Sequence, residues 1–321
     1  MYKMRVGVLR GGPSAEYEVS LKTGQSVLQN LSKDRYEVKD VLIDKLGQWH
    51  MRGMPVDATR VLDQVDVMFN ALHGKYGEDG EVQRFLDSHG CKYTGSGSLA
   101  SAIAMNKVLT KGHLSRAPFK HAPHRLLHRN EMNKQQVIAL FQTFPLPCIV
   151  KPVSGGSSIA TALVTSFDEL LYALTVAFSH ADQVLVEKYI RGREATVAVA
   201  DGFRGQDVYA FPPIEIVTSD TTFFDYTEKY GGGARELCPA PFTKETTDAL
   251  LHAAKHVHKT LGLRDYSRSD FIVARDGVYF LEVNSLPGLT PTSLLPKTVE
   301  AVGATLPSFL GHLVERAYAR K

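Results

Sequence analysis

Residues 281–296 read LEVNSLPGLTPTSLLP, and this stretch gives the clearest guide to the fold. Apolar Leu281 and Val283 alternate with Glu282 and Asn284, which predicts a β-strand with one apolar face and one polar face. A proline and a glycine follow soon after, so the strand ends in a turn. A carboxylate and a carboxamide therefore lie side by side on one strand face, just before a loop rich in hydroxyl groups.

A β-hairpin is predicted for the residues that lead into this strand, because two apolar segments flank RDG at 275–277. The length of the hairpin loop decides which side chains face each other. A two-residue Asp-Gly loop would point Asp270 away from Glu282. A three-residue loop, with Gly277 in the left-handed conformation, puts Asp270 opposite Glu282, and Asn284 then lies two residues further along the same face.

Asp270, Glu282 and Asn284 form a candidate metal site. Two carboxylates within about 5 Å of each other repel unless a proton or a cation offsets their charge. Carboxylate and amide oxygens suit Mg²⁺, with Mn²⁺ as an alternative ion, and Mg²⁺ commonly joins such groups to phosphate oxygens. A solvated strand face with scattered acids is the other interpretation, but asparagine is unfavourable within a strand. We therefore predict a site for a metal ion and a triphosphate.

The composition of the whole chain limits the classes of function. A chain of 321 residues is too long for one ordinary hydrophobic core and fits two or three domains. Its 37 basic and 34 acidic residues nearly balance, which gives little support for a nucleic-acid or membrane partner. The three cysteines lack a metal-binding spacing, and no stretch reaches the roughly 18 apolar residues of a membrane span. We expect a cytoplasmic protein with reduced thiols.

Strands and helices alternate in the first part of the chain, which is typical of a parallel sheet. We predict an α/β fold in which a Rossmann-like N-terminal domain, residues 1–95, precedes a unit of two lobes, residues 96–190 and 191–321. The basic, histidine-rich segment 113–129 is predicted to be an exposed connector. The segment 219–236 is long for a loop within a compact domain and is a candidate lid.

Two lysines and a glycine-rich loop are candidate phosphate ligands. Lys107 lies in a predicted helix, 98–112, and Lys151 ends a buried strand. The flap loop, SGGSS at 154–158, joins two strands and can turn its N–H groups onto phosphate oxygens. Each lysine taken alone is better explained as a surface residue than as a ligand, whereas the loop is equally well explained as a flexible hairpin. Glu187, at the edge of a further strand, could bind an adenine amino group.

Several short segments occur in a fixed order along nearly the whole chain. They are GGPSAEYEVS, ALHGKYGEDG, YTGSG, MNK, VKPVSGGSS, VEKYIRGREATV, FFDYTEKY, SRSDF and LEVNSLPGLTPTSLLP. In this order they resemble the ATP-grasp superfamily and, within it, the D-alanine–D-alanine ligase family. The resemblance identifies the unit of two lobes as an ATP-grasp unit.

The resemblance also implies a role for each matching residue. ATP binding falls to Lys107, Lys151, Glu187, Lys188, Ile190, Glu194 and Lys229. Mg²⁺ binding falls to Asp270, Glu282 and Asn284. Substrate binding and catalysis fall to Glu16, His73, Arg268, the Gly288 N–H, Ser293 and Leu294. Ser157 and Tyr230 would connect Glu16 to the lid.

The implied activity is the ATP-dependent joining of two D-alanines through an acyl phosphate, for peptidoglycan synthesis, by a homodimer. Tyr230 resembles the dipeptide-forming members, which favours D-alanine as the second substrate. D-Serine or D-lactate as second substrate, and another ATP-grasp amino-acid ligase activity, are alternatives. A non-catalytic nucleotide-binding regulator is a further alternative, although the intact charged residues weigh against it. Ala160 departs from the glycine usual in the family and is expected to stiffen the flap loop.

Overall fold

The computed structural model describes residues 3–156, 160–218 and 234–320. Within these residues, three β-sheets carry helices on their faces. The strands are β1 Met4–Gly11, β2 Tyr36–Ile43, β3 Trp49–Met51, β4 Met54–Pro55, β5 Val67–Asn70, β6 Lys120–His121, β7 His124–His128, β8 Cys148–Pro152, β9 Ala162–Val164, β10 Gln183–Lys188, β11 Arg193–Asp201, β12 Val208–Ala210, β13 Ile214–Thr218, β14 Ala234–Leu237, β15 Tyr266–Ala274 and β16 Gly277–Asn284. The helices are α1 Tyr17–Asn30, α2 Ala58–Leu62, α3 Glu81–Ser88, α4 Ser98–Met105, α5 Lys107–His113, α6 Lys134–Thr143, α7 Phe167–His180, α8 Lys244–Thr260, α9 Leu294–Ala301 and α10 Leu306–Ala319.

The first sheet has the strand order β4-β3-β2-β1-β5, and β1 pairs in parallel with both β2 and β5. The predicted parallel arrangement is therefore confirmed at the centre of this sheet. β3 and β4 extend the sheet in antiparallel fashion, which the sequence pattern did not indicate. Helices α1 and α10 pack together beside this sheet, and Phe309 and Leu313 of α10 are fully buried in the same core as Val6 and Phe69. The end of the chain thus returns to the first sheet.

The second sheet, β7-β10-β8-β9, is antiparallel, and α6 and α7 form a shared apolar core with it. The prediction that 113–129 is a connector is wrong, because β6 and β7 lie within it, but most of its basic side chains are exposed as predicted. In β7, Leu126 pairs with Leu185 and Leu127 with Val184 of β10. The apolar pair between basic residues is enough to form an edge strand once β10 offers a partner.

The third sheet has the order β14-β13-β11-β15-β16-β6, with β12 also paired to β11. Helix α8 covers β11, β12 and β15. The pattern of 208–217 predicts one strand, but the structure has two, β12 and β13. The residues between them read FPP, at 211–213, and proline has no N–H to donate to a strand ladder. In this sheet the hairpin β15–β16 lies between β11 and the short edge strand β6.

The single helix predicted over 98–112 is also wrong, because α4 ends and α5 begins at Asn106. Asn106 has extended backbone angles, φ −102° and ψ 106°, and its Oδ1 accepts the N–H groups of Val108 and Leu109 at 3.1 and 3.0 Å. Asparagine is a preferred residue for capping a helix N-terminus in this way. The break makes Lys107 the first residue of α5, and its N–H donates to the Val153 carbonyl at 3.0 Å.

Over the described part of the chain, every helix is too short or too polar to cross a membrane.

We expect Asn106→Ala to lower the free energy of unfolding by about 1 kcal/mol, because alanine cannot accept the N–H groups that begin α5. Asn106→Asp is the matched control, since a carboxylate oxygen can accept the same two N–H groups. Urea unfolding followed by circular dichroism would measure both variants. Equal stability of the alanine and aspartate variants would contradict a capping role for Asn106.

Candidate active site

The hairpin β15–β16 pairs Asp270 directly with Glu282, which confirms the predicted pairing. The predicted three-residue loop is wrong, because Ala274 pairs with Gly277 and leaves a turn of two residues. The ladder then shifts by one residue next to Asp270, where Leu281 is the extra residue of a β-bulge. The bulge therefore restores the register that the shorter loop would have changed.

Asp270 is buried, with 5% of its surface exposed, and its charge is offset by Arg268. The Arg268 guanidinium donates from Nε and Nη2 to the two carboxylate oxygens, each at 2.9 Å. The Thr196 hydroxyl donates to Asp270 Oδ1 at 2.5 Å. Burial alone would lower the pKa of Arg268, but the Asp270 carboxylate raises it above its usual value. Arg268 is therefore a permanent cation fixed in direction by Asp270.

Glu282 and Asn284 complete the predicted metal site. Glu282 Oε2 lies 3.5 Å from the Lys107 ammonium, which also donates to the Gly155 carbonyl at 2.8 Å. Asn284 Oδ1 accepts the Leu286 N–H at 2.8 Å, so its amide oxygen is fixed by the turn after β16.

The donor atoms at this site fit a hard divalent cation. Among the described residues, no three His, Cys, Asp or Glu side chains gather as a metal site. The third donor here would instead be the amide oxygen of Asn284. Two carboxylates and one amide oxygen on adjacent strands match the oxygen ligands that Mg²⁺ prefers.

A buried ion-pair cluster lies beside this site. Glu187 of β10 is 3% exposed, and its Oε2 lies 2.5 Å from the Lys151 ammonium. Its Oε1 lies 2.8 Å from the ammonium of Lys111, a residue that sequence reasoning missed. Burial alone would raise the pKa of Glu187, but Lys151 and Lys111 lower it to about 2. The position of Lys111, four residues after Lys107 and so on the same helix face, was the available signal.

Two adjoining cavities share several charged residues in their linings. The larger, about 900 Å³, lies between the second and third sheets. Its lining includes the predicted ATP-binding residues Lys107, Lys151, Glu187, Lys188, Ile190 and Glu194. The smaller, about 390 Å³, lies between the first and third sheets, and its lining includes the predicted substrate residues His73, Arg268, Gly288, Ser293 and Leu294. Glu16, Lys107, Glu194, Asp270 and Glu282 line both cavities.

Glu16 immediately precedes α1 and lies between two glycines. A Cβ atom added to Gly74 would lie 2.6 Å from Glu16 Oε2, and one added to Gly156 would lie 3.4 Å from it. Gly74 also has φ +68°, a conformation that favours glycine. The Glu16 carboxylate therefore touches both the loop that follows β5 and the flap loop, and a side chain at Gly74 would displace it.

His73 is buried and held by two side chains. Its Nδ1 lies 2.9 Å from Glu78 Oε1, and its Nε2 lies 2.8 Å from the Thr23 hydroxyl. Burial raises the pKa of Glu78, and the hydrogen bond with His73 opposes that rise. Sequence reasoning missed Glu78, although it lies five residues after His73 in the same HGKYGEDG segment. The orientation of the His73 ring is therefore fixed by both neighbours.

The start of α9 closes the far side of the smaller cavity. Ser293 Oγ accepts the Thr290 N–H at 3.1 Å and lies 2.8 Å from the Thr290 hydroxyl. A Cβ atom added to Gly288 would lie 2.8 Å from Ser293 Oγ, so the close approach requires glycine. The N–H groups of the first turn, beginning at Leu294, are suited to an anionic ligand.

Comparison with known proteins identifies the family. The model of the D-ala D-ala ligase C-terminus matches residues 114–315, and the model of the corresponding N-terminus matches residues 5–60 and 52–96. The chain belongs to the D-alanine–D-alanine ligase family.

Members of this family are similar to the chain over nearly its whole length. The D-alanine–D-alanine ligase of Syntrophobacter fumaroxidans is 38% identical, over 98% of each chain. That of Geobacter sulfurreducens is 41% identical, over 91% of this chain and 87% of its own.

Solved structures of the family share the ATP-grasp fold. The crystal structure of VanG D-Ala:D-Ser ligase from Enterococcus faecalis has a TM-score of 0.87 at 28% identity, and covers 99% of this chain and 100% of its own. That of D-alanine–D-alanine ligase from Bacillus anthracis has a TM-score of 0.79 at 33% identity, over 98% and 97%. The predicted α/β fold with an ATP-grasp unit is therefore confirmed.

Three of the residues that the family resemblance singles out lie outside the described residues. They are Ser157, Lys229 and Tyr230. The candidate lid, 219–236, is described only for its last residues, of which Glu236 forms an ion pair with Lys297 beside the smaller cavity.

The Glu187 ion pairs predict a pH dependence of stability. The pKa of Glu187 is about 2, below the ordinary value of 4.5, so its contribution is fully present above about pH 4.5 and is lost as the pH falls toward 2. When the pH falls from about 5 to about 3, the free energy of unfolding of the unchanged chain should decrease. In Glu187→Gln this decrease should be smaller by about 2 kcal/mol. Urea unfolding at both pH values measures this difference.

Asp207→Asn is a suitable control, because Asp207 forms an ion pair with Lys259 that is well exposed. Its removal should change the pH dependence by a few tenths of a kcal/mol. A pH dependence that is the same for Glu187→Gln and the unchanged chain would contradict the assignment of a strongly lowered pKa to Glu187.

Proposed function

We propose that the chain joins two D-alanine molecules into D-alanyl-D-alanine, with ATP converted to ADP and phosphate, as a step in the synthesis of peptidoglycan precursors. Family membership supports the reaction class. The observation that carries the proposal is the meeting of the two cavities at Asp270 and Glu282, since a phosphoryl group must pass between a nucleotide and a carboxylate. The larger cavity has room for ATP and the smaller one for two amino acids.

ATP is proposed to bind in the larger cavity. Lys107 and Lys151 would neutralise phosphate charge, and Lys229 would join them from the lid. Glu187, Lys188 and Ile190 would lie along the adenine, and Glu194 would complete the nucleotide site, on the same resemblance.

The metal site is proposed for Asp270, Glu282 and Asn284. A Mg²⁺ ion held there would neutralise the charge that develops as the phosphoryl group is transferred. Arg268 orients the Asp270 carboxylate in advance, and Lys107 offsets the Glu282 charge, so both ligands are held close together before a metal arrives.

The reaction itself needs activation of a carboxylate. The first D-alanine would be held through its ammonium group by Glu16, with His73 nearby, and its carboxylate would accept the γ-phosphoryl group to form an acyl phosphate. The amine of the second D-alanine then attacks the acyl carbon and phosphate leaves. Arg268 and the Gly288 N–H would stabilise the oxyanion of that step.

The second substrate would be held through its carboxylate at Ser293 and Leu294, where N–H groups begin α9. Ser157 and Tyr230 would connect Glu16 to the lid and keep water from the acyl phosphate. We favour D-alanine as second substrate because of Tyr230. D-Serine is the second candidate, because a D-Ala:D-Ser ligase is among the similar structures and a small apolar site rejects an added hydroxyl poorly.

The test is phosphate release from ATP and Mg²⁺ with D-alanine alone, with the product identified by mass spectrometry. We expect D-alanyl-D-alanine. Added D-serine or D-lactate should give little mixed product. A mixed product in excess would favour the alternative ligases, whereas ATP binding without product from any D-amino acid would overturn the ligase proposal and support a regulatory role.

We expect Glu282→Gln to raise the Mg²⁺ concentration needed for half-maximal activity by about tenfold or more, because one anionic ligand becomes neutral. Glu236→Gln is the matched control, since Glu236 lines the same cavity but forms its ion pair with Lys297. Steady-state rates against Mg²⁺ and Mn²⁺ concentration measure the effect. An unchanged metal requirement would contradict the role of Glu282.

The family resemblance further favours a homodimer, which sedimentation velocity would test. The use of ATP as a substrate also favours the cytoplasm as the location of the reaction.

A further inference from the structure

The buried cluster of Lys111, Glu187 and Lys151 has a chemical feature that the proposed reaction does not use. Lys151 and Glu187 line the larger cavity. Lys111 is not among the described residues that line either cavity, yet its ammonium is buried and lies 2.8 Å from Glu187 Oε1. A buried lysine with one carboxylate partner is costly to retain unless its charge has an effect elsewhere.

The charges of this cluster are unequal. Two ammonium groups share one carboxylate, and each takes a separate oxygen, Lys111 at Oε1 and Lys151 at Oε2. The cluster therefore carries one net positive charge. Without Lys111, Glu187 and Lys151 would form a neutral pair, and both carboxylate oxygens could turn to the one remaining ammonium.

We propose that Lys111 is a positioning residue, which occupies one oxygen of Glu187 and so leaves the charge of Lys151 available to the phosphates of ATP. The inference rests on the proposed function in taking Lys151 as a phosphate ligand. Lys111 acts through Glu187 and does not itself contact the nucleotide.

The position of Lys111 in the fold supports this role. Lys107 and Lys111 lie one turn apart on α5, the helix that begins at Asn106. Lys107 faces Glu282 at 3.5 Å, and Lys111 faces Glu187. One short helix thus supplies a cation to a carboxylate of the third sheet and another to a carboxylate of the second sheet, on the two sides of the larger cavity.

The pKa values of the two lysines shift in opposite directions. Burial lowers the pKa of Lys111, and the Glu187 charge opposes that effect. Burial would also lower the pKa of Lys151, but Glu187 raises it above its ordinary value. Lys151 is therefore fully charged near neutral pH.

The first variant to test is Lys111→Met, which keeps most of the apolar part of the side chain and removes its charge. We expect its Kd for ATP, measured by calorimetry without D-alanine, to rise about tenfold or more, because one net charge is lost near the triphosphate. The KM for ATP should rise with it, and the KM for D-alanine should change less than twofold. Lys111→Arg should restore most of the ATP affinity.

The decisive variant is the double substitution Lys111→Met with Glu187→Gln. It restores one net positive charge by leaving Lys151 without a carboxylate partner. Because Glu187 is also proposed to lie along the adenine, the double variant is compared with Glu187→Gln alone, and Lys111→Met should raise the Kd for ATP much less in that background than in the unchanged chain. A merely structural role for Lys111 would raise the Kd by the same factor in both backgrounds.

Lys259→Met is the control, since it removes the same charge from an exposed ion pair with Asp207 and should leave the Kd for ATP unchanged. Thermal unfolding without nucleotide shows whether each variant is folded, and if Lys111→Met is not, the arginine and double variants decide. An unchanged Kd in folded Lys111→Met, or the same rise in Kd with and without Glu187, would overturn the proposal. Because ATP binding is measured without D-alanine, failure of the unchanged chain to make dipeptide would count against the proposed function alone.

Discussion

The placement of Asp270 directly opposite Glu282 is the constraint on which the site depends. Two carboxylates at this separation repel, and each is held only because a cation lies beside it. Arg268 comes from β15 itself and binds both oxygens of Asp270. Lys107 is the first residue of α5, directly after the break at Asn106, and its ammonium lies 3.5 Å from Glu282 Oε2. The geometry of the hairpin and the break between α4 and α5 are therefore parts of one electrostatic arrangement.

Sequence reasoning predicted this pairing correctly from an incorrect loop. Alternation of apolar and polar residues identifies β16, but a slip of one residue exchanges its faces, and only the loop and any bulge fix which register is adopted. The loop is one residue shorter than predicted, and the bulge at Leu281 compensates. A bulge of this kind has no reliable local pattern, because Leu281 is equally suited to a regular strand. The pairing depends on contacts that form only when the sheet assembles.

The other differences between the predictions and the structure also arise from contacts that form only when the chain folds. The parallel core of the first sheet was predictable, because strands and helices alternate in the first part of the chain. Strand β7 was not, because its few leucines lie among basic residues and become a strand only against β10. Lys111 and Glu78 lie close in sequence to predicted site residues, but their ion-pair and hydrogen-bond partners, Glu187 and His73, become visible only in the fold. Residues that bind ligands were suggested by the family resemblance, whereas the residues that orient them were found by geometry.

Ala160 replaces the glycine that is usual in the family, and the change has two opposing effects on conformational free energy. Its φ of +55° lies in the left-handed region, which costs an alanine roughly 1 kcal/mol relative to glycine. Alanine also has fewer conformations than glycine in an unfolded chain, but this gain of about 0.4–1 kcal/mol is realised only where alanine adopts the native angles without strain. At a positive φ the strain outweighs it, so alanine at 160 is less favourable than glycine for this conformation. Because alanine also restricts the unfolded chain more than glycine does, a stiffer flap loop stays a prediction from the sequence, and the left-handed angle at Ala160 is the cost that such stiffening would carry.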